Sequence, residues 1–159
     1  MAIKKHFGRI LTSCMGLILG FSLLALPALA GSATGAYGYY TVKYIQYKNY
    51  SYVSVDDDAV AVSTAETYDG SQVSIGYIAA CARLYDDNDS LVSSTSYSYN
   101  QSKDNSHSAQ CSYSAIKSGT SYYSKGATGA FNGDGYTYYT TFASPFQTAT
   151  KLYSKKRND

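Results

Sequence analysis

The 159-residue sequence has no tryptophan, only two prolines, three cysteines and two histidines. Beyond position 30 it keeps a single glutamate, Glu66, and a single histidine, His107. Glycoside hydrolysis needs two carboxylates facing each other across a cleft, and with one glutamate and aspartates gathered in turns no such pair stands out. Nucleophilic catalysis needs a base beside the nucleophile. Only His107 is on offer, and no Gly-x-Ser-x-Gly elbow accompanies it. No glycine-rich phosphate loop opens a helix. Two cysteines and one histidine fall short of a zinc set. The acidic stretch Asp86–Ser90 lacks the spacing and glutamate of a calcium loop. The expectation is therefore no cofactor, no metal and no catalytic residues.

Charge of one sign is also scarce. The formal net charge is +2, and Lys4, Lys5 and Arg9 supply that excess. Without them the chain is close to neutral, so neither nucleic acid nor an acidic substrate is implied as a partner. Aliphatic residues are sparse as well. Beyond position 30, tyrosine outnumbers leucine, isoleucine, valine and phenylalanine together. A chain so poor in aliphatics would look disordered, but all 19 tyrosines lie in this part. Tyrosine rings bury well while their hydroxyls seek a partner, and Tyr, Thr and Val favour strands. The chain is read as a folded all-β domain whose burial leans on tyrosine.

The start of the chain has a different texture. A basic end precedes a nearly unbroken apolar run from Ile10 to Leu26, then Pro27 and the small-residue pattern Ala28-Leu29-Ala30. This is the layout of a secretory signal peptide. The expectation is residues 1–30 as signal with cleavage after Ala30, 31–150 as one domain, and 151–159 as a flexible cationic tail. The product would be secreted, extracellular or attached to the cell surface, with no stable membrane span after cleavage.

Within 31–150 no helical period appears, and turn formers recur every eight to fifteen residues. That rhythm predicts an antiparallel β-sandwich of about seven or eight strands, with a small barrel as the alternative. Tyr39 to Val55 reads as one long strand or two, with the break expected at Lys48-Asn49. Asp69-Gly70 reads as a hairpin turn. Neither face of Tyr77–Tyr85 is plainly polar, which predicts a central strand covered on both sides. Asp86–Ser90 is a turn, and Asn100–Ser106 an exposed polar loop. Asn132-Gly133-Asp134-Gly135 is the strongest turn signal, and Tyr136–Phe142 the last strand.

Cys81 and Cys111 are the only cysteines beyond position 30. In an exported chain they are expected to pair. The bond would close a loop of about 30 residues and stabilise the fold by roughly 3–4 kcal/mol.

The tyrosine surplus carries the functional expectation. Some rings must lie exposed, and Tyr39, Tyr40, Tyr44, Tyr136, Tyr138 and Tyr139 are the candidates. Exposed aromatics on a rigid sheet can hold a cell-envelope glycan or a protein partner, so a non-enzymatic binding module is the leading reading. A secreted antagonist, bacteriocin- or toxin-like, is the alternative, its Lys155-Lys156-Arg157 cluster touching anionic surfaces. A hydrolase centred on His107 comes third.

Overall fold

The computed structural model describes residues 31–150. The expected signal segment, with its cleavage site, and the tail 151–159 lie outside the described residues. The rest is all-β and sandwich-like, and none of its antiparallel sheets closes into a barrel. The first layer holds β1 (Gly31–Thr34), β2 (Gly38–Val42), β3 (Ile45–Val55), β4 (Ala59–Thr67) and β9 (Ser106–Tyr113). β1 and β2 follow one another along the same edge of β3, and β4 and then β9 lie beyond its other edge. The second layer holds β5 (Ile78–Cys81), β6 (Arg83–Asp86), β7 (Leu91–Ser94), β8 (Ser98–Tyr99), β10 (Ser121–Ser124), β11 (Ala127–Phe131), β12 (Tyr136–Thr140) and β13 (Gln147–Thr148).

The second layer forms two small sheets, β13-β10-β6-β7 and β12-β11-β5-β8. They share one register. β10 on β6 and β11 on β5 continue the same pairing past Ala82 and Gly126. Backbone bonds bridge the gap, from Lys125 N to Arg83 O (3.2 Å) and from Thr95 N to Ala82 O (3.0 Å). Rejoined across these interruptions, β1/β2, β3, β4 and β9 face β12/β13, β11/β10, β5/β6 and β8/β7. Thirteen short strands thus amount to four through-going strands per layer.

The interruptions fall where the interior is polar. One apolar cluster gathers Val53, Val55, Ala61, Leu84 and Tyr122. A second gathers Tyr40, Tyr47, Ile78 and Ala130. Other interior positions hold buried Asn49, Ser51, Ser63, Ser124, Thr128 and Thr141. Buried polar groups are costly unless bonded, and most of these are. Asn49 Nδ2 donates to Thr128 Oγ1 at 2.8 Å, and Tyr40 OH lies 3.2 Å from the same oxygen. Ser51 Oγ donates to Phe142 O at 2.6 Å. Ser124 Oγ donates to Val62 O at 3.3 Å. Asn49 Oδ1 and Ser63 Oγ have no such partner.

Several expectations need correction. The β2–β3 break is at Lys43-Tyr44, which take positive φ of 47° and 69°, while Lys48 and Asn49 are mid-strand. No glycine or asparagine marks that turn, so it left no signal. Asp69-Gly70 does turn the chain, with Gly70 at φ 76°. It does not make a hairpin, because β4 pairs with β3 and β9 while the chain crosses to the other layer.

The expected Cys81–Cys111 disulfide is also overturned: both residues are buried free thiols. Ile78, Ala80 and Ala82 of the Ile78–Asp86 run point into the core. Alternation then sends Cys81 to the outer side of the layer, where its Sγ donates to Thr95 O at 3.1 Å. Cys111 points inward, among Val53, Ala80 and Leu84. Two cysteines whose Cβ vectors diverge cannot be bridged without backbone movement. Burial also pushes the Cys111 thiol up, and the thiolate is the reactive form. Peptides holding Cys81 and Cys111 are expected to be alkylated fully under denaturing, non-reducing conditions, and slowly in the native protein. Mass spectrometry showing both blocked without reductant would restore the bond.

Candidate aromatic binding face

The outer face of the β12-β11-β5-β8 sheet is built from two kinds of residue. Register puts Tyr138, Gly129, Ala79 and Tyr99 side by side across the four strands. The central strands contribute small residues, and the outer strands contribute tyrosines. Two residues along, Cys81 pairs with Ala127. The rings reach inward over this floor, which is why Ala79 is 0% and Cys81 3% exposed although they face away from the core. Glycine at 129 is required by the roof itself. A Cβ there would meet Tyr138 Cδ1 at 2.7 Å and Ala79 Cβ at 3.3 Å.

The roof is continuous. Ring centroids lie 4.3 Å apart for Tyr97–Tyr138, 4.8 Å for Tyr99–Tyr136 and 6.0 Å for Tyr136–Tyr138. Phe131 joins Tyr136 at 5.8 Å and Tyr77 at 5.3 Å. Tyr138 is 45% exposed. Its phenol is pushed up to about 12, first by burial and then by the neighbouring phenols of Tyr99, Tyr97 and Tyr136. The phenol is therefore a neutral hydrogen-bonding group at any physiological pH.

At one end the roof opens into a cleft of about 290 Å³ lined by Ile75, Gly76, Tyr77, Phe131 and Tyr136. Tyr136 OH donates to Gly76 O and ties the cleft wall to the roof. Asn100, 2% exposed, holds the same wall from behind. Its Oδ1 accepts from Ile78 N at 2.9 Å, and its Nδ2 donates to Ser74 O at 2.9 Å and to Ser102 O at 2.8 Å. The Asn100–Ser106 stretch is thus pinned at its first residue rather than a wholly exposed loop. At the other end of the layer, Tyr85 stacks on Tyr123 at 5.2 Å, and Phe146 meets Tyr123 edge-on at 5.0 Å.

The structure separates the six expected tyrosines. Tyr136 and Tyr138 belong to the roof. Tyr139, of opposite parity, stacks on Tyr40 at 3.9 Å, and Tyr40 is a core residue at 8% exposure. Burial is the main reason the Tyr40 phenol is pushed up to about 12. Tyr39 and Tyr44 are exposed but sit on the first layer, Tyr39 edge-on to Tyr68 at 5.8 Å. Tyr77, Tyr97, Tyr99 and Phe131 were missed. The shared parity of Tyr97 and Tyr99 was visible, but placing them opposite Tyr136 and Tyr138 requires the strand order.

His107 sits on β9 at the edge of the sandwich, its Nε2 2.9 Å from Ser98 Oγ. The nearby Asp104 carboxylate is occupied with its own turn, accepting from Asn105 N at 2.7 Å and Ser106 N at 3.3 Å. The imidazole is held below its ordinary value, chiefly by burial. The unfolded chain therefore binds the proton more readily than the folded one. Stability is expected to hold above pH 6.5, the ordinary value, and to fall as pH drops through and below it. Urea midpoints from pH 8 to 5 check this. His107→Gln should flatten that acid limb, and an unchanged limb in the variant would place the effect elsewhere.

Comparison with known protein families, curated proteins and solved structures finds no match.

Proposed function

We propose that the chain is a small exported, non-enzymatic binding module that holds a cell-envelope glycan, or a protein displayed with it, on the aromatic roof. One observation carries this reading: six rings, from β8, β11, β12 and the residues just before β5 and β8, join across one outer sheet face with a cleft at its end. Flat rings backed by a strand floor offer large contact area at little entropic cost. Neutral phenols at the rim supply hydrogen bonds. The sandwich positions the rings, and no charge-driven recognition is needed.

Export is the sequence expectation from 1–30 and remains part of the proposal. The antagonist alternative rests on Lys155-Lys156-Arg157, outside the described residues. The hydrolase alternative has the Ser98–His107 pair but, among the described residues, no carboxylate bonded to the ring.

Pull-down on envelope polysaccharide, with a glycan array, tests the proposal. Tyr138→Ala and Tyr97→Ala are expected to weaken binding about 30-fold, the size of an aromatic hot spot of about 2 kcal/mol. Tyr39→Ala and Tyr44→Ala should leave it unchanged. Binding that follows Tyr44 instead of Tyr138, or no retention on any envelope fraction, would refute it.

A further inference from the structure

We infer that Tyr97 and Tyr138 form an oxidative coupling site, where a one-electron oxidant joins the two phenols into a dityrosine that ties the segment entering β8 to β12. Their ring centroids are 4.3 Å apart with planes tilted by 38°, within reach of a carbon–carbon bond between ring positions ortho to the hydroxyls. Tyr138 is 45% exposed and Tyr97 partly so, which leaves the pair open to an external oxidant.

The other close pairs are less suited. Tyr40 and Tyr139 are nearer at 3.9 Å, but Tyr40 is buried and its hydroxyl faces Thr128. Tyr123 commits its hydroxyl to Asp89 Oδ1 at 2.9 Å and lies against Phe146. Tyr99 and Tyr136 are 4.8 Å apart, but Tyr136 donates its hydroxyl hydrogen to Gly76 O.

The chemistry balances with peroxide and a haem peroxidase as oxidant. Each phenol gives up one electron and its hydroxyl proton. The two radicals then form one carbon–carbon bond, and rearomatisation moves the two ring hydrogens onto the oxygens. One peroxide takes up the two electrons and two protons and leaves as two waters. The product crosses the whole four-stranded sheet over the Gly129–Ala79 floor. It supplies the covalent tie that Cys81 and Cys111 are not placed to make.

The test treats dilute purified protein with peroxidase and limiting peroxide, then digests with trypsin. The expected product is a monomer lighter by two hydrogen atoms, with Leu84–Lys103 linked to Gly126–Lys151 and the link localised to Tyr97 and Tyr138. Its Tm should be higher than that of untreated protein. Tyr138→Phe keeps the ring and the fold, as circular dichroism would verify, and should abolish this product. Linkage only between molecules, for example through Tyr44, would overturn the inference. So would a link placed on Tyr99 and Tyr136, a link surviving in Tyr138→Phe, or no coupled product.

Discussion

Asn100→Ala is expected to lower unfolding stability by about 2–4 kcal/mol, since a buried group left without a partner costs about 1–3 kcal/mol. The side chain is 2% exposed and serves three backbone groups, Ile78 N, Ser74 O and Ser102 O. Truncation strands the buried Ile78 N and removes the two bonds that hold the exposed Ser74 and Ser102 backbone in place. The surrounding backbone bonds, Gly76 N to Asn100 O at 2.9 Å and Asn100 N to Ile78 O at 3.1 Å, depend on the same alignment. The loss is a large share of the roughly 5–15 kcal/mol that holds such a domain together. Asn100→Asp is expected to be no better. It keeps the acceptor for Ile78 N but points a carboxylate at two carbonyl oxygens. Because Ser74–Tyr77 forms the cleft wall, ligand retention should weaken in parallel. Urea melts decide the point: an Asn100→Ala midpoint equal to wild type would mean that the Val73–Asp104 bridge holds the segment unaided.

The second large effect is expected at Gly126. An alanine Cβ there would collide with Ser63 Oγ and with the Cys81 carbonyl oxygen. The serine could turn away, but the carbonyl belongs to β5. Gly126 itself is fixed, its N donating to Thr141 Oγ1 at 3.0 Å and its O accepting from Thr141 N at 3.1 Å. Overpacking of this kind costs about 1–3 kcal/mol and more where backbone must shift, so Gly126→Ala should lose about 3 kcal/mol or fail to accumulate as folded protein. Ser63→Ala separates the two collisions. Alone it removes a buried hydroxyl without a partner and should be neutral or stabilising by about 1 kcal/mol. Combined with Gly126→Ala it should restore part of the loss, a non-additivity expected of residues in contact. Strict additivity in denaturant melts would show that the serine is not part of the clash.

The layered β architecture was legible because its cues are local. The absence of a helical period, the recurring turn formers and the Asn132–Gly135 turn need no knowledge of partners. Gly133 takes φ 107°, and Asn132 Oδ1 accepts from Asp134 N and Gly135 N, as that turn sequence predicts. The roof was only half legible. Parity along β12 separates Tyr136 and Tyr138 from Tyr139, but it cannot say which face is the core. Tyrosine suits both faces, so the usual polar–apolar contrast was silent. The same ambiguity misplaced Cys81. Its strand has small apolar residues on both sides, one set under the core and the other under the roof. Asn100 was hidden for a related reason, since a buried asparagine in a polar stretch reads as solvent-facing.

The order in which strands meet sets how fast this chain can fold. Consecutive strands meet only within β1/β2–β3–β4, β6–β7 and β11–β12 among the described residues. β9 must find β4, and β10/β11 must find β6 and β5, after long intervening segments. Loop closure has to precede the contacts that reward it, so topologies of this kind fold on the order of milliseconds to seconds. A polypeptide that lingers unfolded can still be threaded through a narrow pore. If the chain is exported as proposed, slow assembly would keep it fit for passage before its rings close over the sheet.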